Sequence, residues 1–257
     1  MKPILRYPGA KWRAAPWILK HLPPHKVYLE PYFGSGAVFF NKTPCKIETI
    51  NDIDENVVNL FKVIRERFSE LATAMQTTPW ARSEYYASYG MTSDSVENAR
   101  RFLVRCWQAH ATRLGVRTGW RHSVAIQSPS CSSQWRQLPN RIEQARARLM
   151  EAQIECMDAL KLIAKYNHKD VLIYADPPYM PNTRQRGIYA TEMKDSDHVN
   201  LLEALMRHRG SVVVSGYESD LYNSTLSNWT VVKKNVQTER GVSKTECLWI
   251  KPLDGGG

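Results

Sequence analysis

Cysteine is scarce here, and nothing pairs it. Cys45, Cys106, Cys131, Cys156 and Cys247 are scattered over 257 residues, with no Cys-x-x-Cys pair and no histidines at metal-ligand spacing. A structural zinc site is excluded on that pattern, and a reduced, cytoplasmic protein without a metal is expected. No apolar run reaches the roughly 18 residues that a membrane helix needs, and the basic N-terminal segment lacks the apolar stretch of a signal peptide. No membrane partner is expected. Low-complexity sequence is confined to the terminal Gly255-Gly256-Gly257, for which no structure is expected, and there is no internal repeat. Acidic residues are the minority, 25 against 35 basic ones, and the net charge of +10 suits a polyanion, with nucleic acid as the first candidate.

The chain is long enough for one α/β unit carrying an insertion. Short apolar strands alternate with helical patterns at the start: Lys26 to Leu29, a glycine turn, a helix from Ser35, then a strand from Lys46 to Ile50. This is the rhythm of a parallel sheet. From Glu55 onward Val57, Leu60, Phe61, Ile64, Phe68 and Leu71 recur at helical spacing and predict one amphipathic helix. The rhythm stops after Thr78 and resumes with Gln153 to Cys156, the apolar Val171 to Ala175, a helix at Asp197 to Arg207 and a strand at Ser211 to Ser215. Two late strands, Trp229 to Val236 and Thr245 to Lys251, complete an antiparallel pair. The expected fold is a doubly wound, Rossmann-like α/β sheet with a terminal antiparallel strand pair. Residues 1–78 and 151–254 form its catalytic part, and 79–150 an inserted helical region.

That insertion lacks lysine altogether and holds 11 arginines against four acids, +7 of the chain's +10, with four of its eight tryptophans. Arginine's planar fork grips phosphates and the O6/N7 edge of guanine, which a lysine point charge does less selectively. Arg141, Arg146 and Arg148 read as a solvated helix face, because Leu138, Ile142, Ala145 and Leu149 mark the buried stripe. Arg113, Arg117, Trp120 and Arg121 lie in a glycine-punctuated ribbon that suits DNA contact, and Trp135 and Arg136 read as the same surface.

Three motifs follow strands. Glu30-Pro31-Tyr32-Phe33-Gly34-Ser35-Gly36 is a tight glycine turn whose spacing fits neither a phosphate-cradling ATPase loop nor the dinucleotide fingerprint, leaving an adenosyl ligand. Asn51-Asp52-Ile53-Asp54 ends the second strand, where open α/β sheets place an acid on ribose hydroxyls; Asp52 takes that role and Asp54 the helix cap. Asp158, after the third strand, suits the adenine amine of the same ligand, although a capping role fits nearly as well. Asp176-Pro177-Pro178-Tyr179 follows the most apolar strand, and its two prolines fix a rigid turn with free carbonyls. An exocyclic base amine is a poor nucleophile because its lone pair is delocalised into the ring. Accepted hydrogen bonds to the Asp176 carboxylate and the Pro177 carbonyl would favour a tetrahedral nitrogen aimed at a sulfonium methyl, with Tyr179 stacking on the extruded base. Pro44-Cys45 and Glu55-Asn56-Val57 imitate fragments of enzymes that attack cytosine C5 through a cysteine, but they flank the second strand, so Cys45 reads as structural. His110 reads as a structural residue rather than a base.

Across nearly its whole length the chain resembles the Dam-type (DNA adenine methylase) family of adenine-N6 methyltransferases. Tyr7-Pro8-Gly9-Ala10-Lys11 resembles that family's N-terminal cofactor motif, Glu30 to Gly36 its glycine motif, Asp52 and Asp158 its next cofactor positions, and Asp176 to Tyr179 its catalytic motif. The resemblance implies that S-adenosylmethionine meets Tyr7, Lys11, Glu30, Phe33, Gly34, Gly36, Asp52, Asp158 and Asp176, with Lys11 near its carboxylate. It also implies that 79–150 recognises the target in duplex DNA. The insertion departs from the pattern of GATC-reading members. Cytosine N4 would be served by the same amine-activating geometry, RNA is a further substrate, and a DNA-binding protein that had lost catalysis would keep the fold. Arg184 and Arg186 are candidates for a loop over the base. No nuclease motif accompanies these features, which fits a modification enzyme acting alone.

Overall fold

The computed structural model describes residues 1–111, 113–114, 116–122, 130–180, 191–237 and 243–251. Arg184, Arg186 and the terminal glycines lie outside the described residues. Among these, β1 (Val27–Glu30), β2 (Ile47–Asn51), β3 (Gln153–Glu155), β4 (Val171–Ala175), β5 (Ser211–Tyr217), β6 (Thr230–Gln237) and β7 (Ser243–Ile250) form one sheet in the order β3-β2-β1-β4-β5-β7-β6. β1 to β5 are parallel, while β7 runs antiparallel to both β5 and β6. The chain reverses direction across the sheet at β1, where the order turns from β3-β2-β1 to β4-β5. A ligand crevice is expected at the carboxyl ends of the strands flanking such a switch point.

Strand side chains alternate between two cores. Tyr28, Leu172, Tyr174, Val213 and Leu248 face one, which also contains residues of α2 (Glu55–Glu66), α3 (Phe68–Thr77), α5 (Ser95–Gln108) and α7 (Leu138–Leu149). Leu29, Ile173, Val212, Val214 and Trp249 face the other, with α8 (Ala159–Lys165), α9 (Asp195–Met206) and α10 (Asp220–Thr225). Helices therefore cover both faces, as a doubly wound sheet requires, and α1 (Ala15–Leu19), α4 (Arg82–Ala87) and α6 (Cys131–Trp135) are short additional helices. No described helix is long and apolar enough to cross a membrane.

Three local expectations need correction. The segment after Ser35 forms turns rather than an α-helix. Gly36 is in the left-handed region at φ 67°, and Ala37, Val38, Phe39 and Phe40 are all buried, so the segment packs all round instead of along one stripe. The apolar run from Val57 to Leu71 makes two helices. Arg67 leaves helical geometry at φ −128°, ψ 37°, with its guanidinium held by Glu70 and by the Ser95 hydroxyl. Asp54 caps α2 through the Asn56 amide, as expected.

The third correction concerns the arginines of α7. Arg146 is exposed, but Arg141 is buried and donates to the Pro3 carbonyl at 2.9 Å, and Arg148 pairs with the buried Glu48, which Lys42 also holds. The apolar stripe on α7 is real. Arg141 and Arg148 border it, and their long stems reach past it to buried acceptors. Trp107 on α5 donates to the Ile4 carbonyl at 2.7 Å and lies between the guanidiniums of Arg6 and Arg141, 4.6 and 5.3 Å from its ring. These bonds fasten the N-terminal segment onto α5 and α7, so the insertion's long helices share the main core and hold the segment that leads into Tyr7 and Lys11.

Candidate active site

The strand ends at the switch point converge on a cavity of about 330 Å³, a volume suited to a small ligand. Tyr7, Lys11, Glu30, Phe33, Gly34, Asp52, Asp158, Asp176 and Pro178 all line it, as the motifs predict, whereas Gly36, Pro177 and Tyr179 stand outside its walls. Tyr32, Ile53, Met157 and Leu160, none of them predicted as site residues, add apolar surface.

The glycine turn is organised by Asp52. Its two carboxylate oxygens accept the Gly34 amide at 2.7 Å and the Asp54 amide at 2.9 Å. Burial pushes this carboxyl up to about 6 despite those bonds. Gly34 is left-handed at φ 50°, and a Cβ there would meet the Tyr7 ring at 3.0 Å. The turn and the N-terminal motif thus touch along a surface that tolerates no side chain. Asn51 was not a predicted site residue, yet its amide nitrogen donates to the carbonyls of Pro31 and Met157 and its amide oxygen accepts the Met157 amide. It ties the loops after β1, β2 and β3 together. Asp158 accepts the Lys161 amide at 3.0 Å as the cap of α8, so the capping role holds while its position on the cavity wall keeps it available to a ligand.

At the other end of the cavity the chemistry concentrates on Asp176. Its Oδ1 accepts from Lys11 Nζ at 2.9 Å and from Ser215 Oγ at 2.8 Å. Ser215 in turn bonds the Tyr174 hydroxyl. Lys11 is buried, donates also to the Gly9 carbonyl at 2.9 Å, and lies 4.5 Å from the centre of the Tyr179 ring. Its nearest anion is therefore a side chain of the site. Glu30 lies fully buried at the end of β1 and accepts from the Tyr28 hydroxyl at 2.7 Å; burial pushes its carboxyl up to about 8, with the nearby Asp176 charge adding to the rise. This rise disfavours the charged form of Glu30 beside Asp176. Tyr179 is buried, with its hydroxyl on Glu246 at 2.7 Å and its ring edge-on to Tyr217 at 4.4 Å.

Ser215 and Glu246 were not predicted as site residues. Ser215 follows the apolar run Val212 to Val214 in β5, and Glu246 directly precedes the buried Cys247, Leu248 and Trp249 in β7; a polar group beside each buried run was the available signal. Cys45, the decoy, stands at the far end of β2, donates to the Ile47 carbonyl and has its thiol pushed up by burial, the opposite of an activated nucleophile. His110 is exposed and held through its backbone amide on the Gly119 carbonyl. Among the described residues no cluster of potential metal ligands occurs.

The arginines of 79–150 divide into two populations. Arg100 and Arg101 pair with Glu97, Arg100 also with Glu84, and Arg105 donates to the Ser88 carbonyl. Arg121 uses its fork on the carbonyls of Ala109 and His110, bracing the ribbon in which Ala109 bridges to Trp120. Trp135 is buried with its indole N–H on the Thr78 carbonyl, so it is not part of a surface shared with the exposed Arg136. What faces solvent is a row of cation and ring pairs. Exposed Arg117 lies 5.2 Å from the Tyr86 ring and 6.0 Å from that of Tyr89, and exposed Arg82 lies 5.1 Å from Trp120, which stacks on His122.

Comparison with known proteins agrees with this geometry. A family model described as D12 class N6 adenine-specific DNA methyltransferase matches residues 7–240. A DNA adenine methylase from Haemophilus influenzae is 25% identical over 270 residues, covering 97% of this chain and 91% of that protein. A DNA adenine methylase from Serratia marcescens is 28% identical over 74 residues, 29% of this chain and 27% of that one. Solved structures with a similar trace include an rRNA methylase from Streptococcus thermophilus, 9% identical with a TM-score of 0.38 over 94% of this chain and 96% of that one. Another is a precorrin 8W decarboxylase from Methanobacterium thermoautotrophicum, 9% identical with a TM-score of 0.40 over 98% and 95%. The match from the N-terminal motif through the Asp176 turn and beyond β6 means that this chain belongs to the D12 class of N6 adenine-specific DNA methyltransferases.

Proposed function

We propose that this enzyme transfers the methyl group of S-adenosylmethionine to the N6 amine of an adenine flipped out of duplex DNA at a specific site. The observation that carries the proposal is the state of Asp176. Among the described residues, the bonds to its carboxylate, from Lys11 and Ser215, both fall on Oδ1, and this side chain lines the cavity. Oδ2 is therefore the acceptor offered to an incoming amine. The cavity fits the cofactor's chemistry: a buried acid at Asp52 for ribose hydroxyls, Asp158 beside apolar Met157 and Leu160 for an adenine ring, and a glycine turn that lets backbone approach. When bound, S-adenosylmethionine supplies an electrophilic methyl group on a cationic sulfur.

Asp176 Oδ2 and the Pro177 carbonyl accept the two amine hydrogens, which localises the nitrogen lone pair and aims it along the axis of the breaking bond. With the cofactor bound, that lone pair would take the methyl group as its bond to sulfur breaks, and one amine proton would leave through the Asp176 carboxylate to water. Pro177 and Pro178 keep the turn rigid while this happens. Extruding the base costs a few kcal/mol. Tyr179 already meets Lys11, Glu246 and Tyr217, so the base stacks on a ring held in place beforehand.

Hydrolysis of treated duplex DNA and nucleoside analysis should give N6-methyladenine; N4-methylcytosine alone would overturn the adenine reading, and incorporation into RNA alone would overturn the DNA one. The exposed Arg82, Arg117 and Tyr86 with the half-buried Trp120 are the part of 79–150 proposed to bear on DNA, with Arg113 and Arg136 alongside; Arg121 supports it by bracing the ribbon. Arg117→Ala should weaken duplex binding roughly tenfold and lower the slope of log affinity against log salt by about one, as loss of a phosphate contact does. Cofactor affinity should not change. Equal loss of both affinities would remove Arg117 from the interface.

A further inference from the structure

We infer that Glu246 is a positioning residue for methyl transfer: with Asp176 it holds Lys11 between two carboxylates, so that the site keeps a net negative charge and Lys11 does not close over the oxygen meant for the amine. The inference rests on the methyltransferase reading above.

Glu246 is 4% exposed in β7, where the next three residues, Cys247, Leu248 and Trp249, are fully buried and apolar. A carboxylate in such a strand is costly unless it is paired. Its Oε1 accepts the Tyr179 hydroxyl at 2.7 Å and lies 3.8 Å from Lys11 Nζ, while the same Nζ lies 2.9 Å from Asp176 Oδ1. One ammonium thus serves two carboxylates, and because Lys11 and Glu246 are both buried their charges act over a longer range than in solvent. The antiparallel register puts Glu246 opposite Tyr217 on β5 and Lys234 on β6. Lys234 is directed over the Trp17 ring and Lys244 over the Tyr217 ring, which leaves Lys11 as the cation within 4 Å of Glu246 among the described residues.

During transfer positive charge passes from sulfur to the amine nitrogen. A net negative surround stabilises it there, and a neutral Lys11–Asp176 pair would not. A simpler role for Glu246, as an anchor for the Tyr179 hydroxyl, needs no charge. Two variants separate the roles. Glu246→Gln keeps the reach and an acceptor for Tyr179 but removes the charge; Glu246→Asp keeps the charge and shortens the reach.

On the charge account the Gln variant loses roughly tenfold to a hundredfold in kcat, with KM for DNA and cofactor little changed, and the Asp variant retains more activity than the Gln variant. The anchoring account predicts the reverse order. Burial raises the Glu246 carboxyl above its ordinary range, with Lys11 opposing and Asp176 adding to the rise. The parent should therefore lose kcat as pH falls through that raised range, and the Gln variant should carry its acid limb to lower pH. Full kcat in the Gln variant, a lowered kcat with an unmoved acid limb, or a Gln variant more active than the Asp variant would each overturn the inference. Because Gln relieves the burial of a charge, that variant should melt no lower than the parent. Should it fail to fold, the Asp variant decides alone: a kcat fallen to the level of Glu246→Ala would overturn the inference, and a clear excess over Ala with the parent's acid limb would support it. If the parent itself transfers no methyl group to DNA, the reading of the enzyme fails; if the parent is active and Gln matches it, only the role of Glu246 fails.

Discussion

Asp176→Ala is expected to abolish methyl transfer, by roughly a thousandfold or more, while leaving duplex binding nearly intact. Removing one preorganised hydrogen-bonding partner of a reacting group typically lowers kcat by about a hundred- to a thousandfold. Here the loss is compounded. The carboxylate is the proposed acceptor for the amine and also pairs with Lys11 at 2.9 Å. Without it, Lys11 is left to Glu246, whose Oε1 is 3.8 Å away in the parent, and Ser215 keeps its bond to Tyr174. Neither group is stranded without a partner, so the variant should fold. Asp176→Asn is the sharper control, since it keeps the shape and reverses half of the carboxylate's polarity toward the amine. Radiolabelled methyl incorporation into mixed-sequence duplex DNA, with binding measured in parallel, checks both variants, and transfer unchanged in Asp176→Ala would sink the assignment of this turn.

The second large effect is on stability. Gly36→Ala should lower the melting temperature by about 10 °C, corresponding to about 3 kcal/mol for a chain of this size. A left-handed φ costs a residue with a Cβ about 1–2 kcal/mol. Here the Cβ would also lie 2.4 Å from Phe33 Cζ and 2.7 Å from Phe40 Cε2, and such overpacking costs about 1–3 kcal/mol. Phe33 cannot yield easily, because its ring is packed against Phe39, Phe40 and Phe61 at centroid distances of 4.9 to 5.8 Å. Since Phe33 also lines the cavity, any ring shift narrows the ligand site, and cofactor affinity should fall with stability. A melting temperature within a degree or two of the parent would show that the turn does not hold this conformation.

Much of the site was legible because its chemistry is local in sequence. Strand, glycine turn and acid succeed one another within a few residues, and the rule that open sheets bind ligands at their carboxyl ends assigns each motif to the same crevice. Asp52 and Asp176 were reachable on that basis, whereas Tyr7 and Lys11, which precede the first strand, came from the family resemblance. The arginines of α7 were not. Amphipathic spacing finds the apolar stripe correctly, but it treats a long cationic side chain at the stripe's edge as solvated. Arg141 and Arg148 instead cross that edge to Pro3 and Glu48, partners 138 and 100 positions away. The rest of the insertion shows the same limit, since a count of eleven arginines does not separate Arg100, locked on two glutamates, from Arg117 on an exposed ring.

The sequence by itself determined the alternation of strands and helices and the terminal antiparallel pair, and it singled out the turn proposed as catalytic, because each depends on periodicity or on residues adjacent in the chain. Only the tertiary structure decided what surrounds Asp176. Ser215 comes from the neighbouring parallel strand, while Glu246 arrives because β7 runs antiparallel and brings its first half to the carboxyl end of β5. Register across a sheet sets those approaches, and register is fixed by packing on both faces rather than by any spacing along the chain.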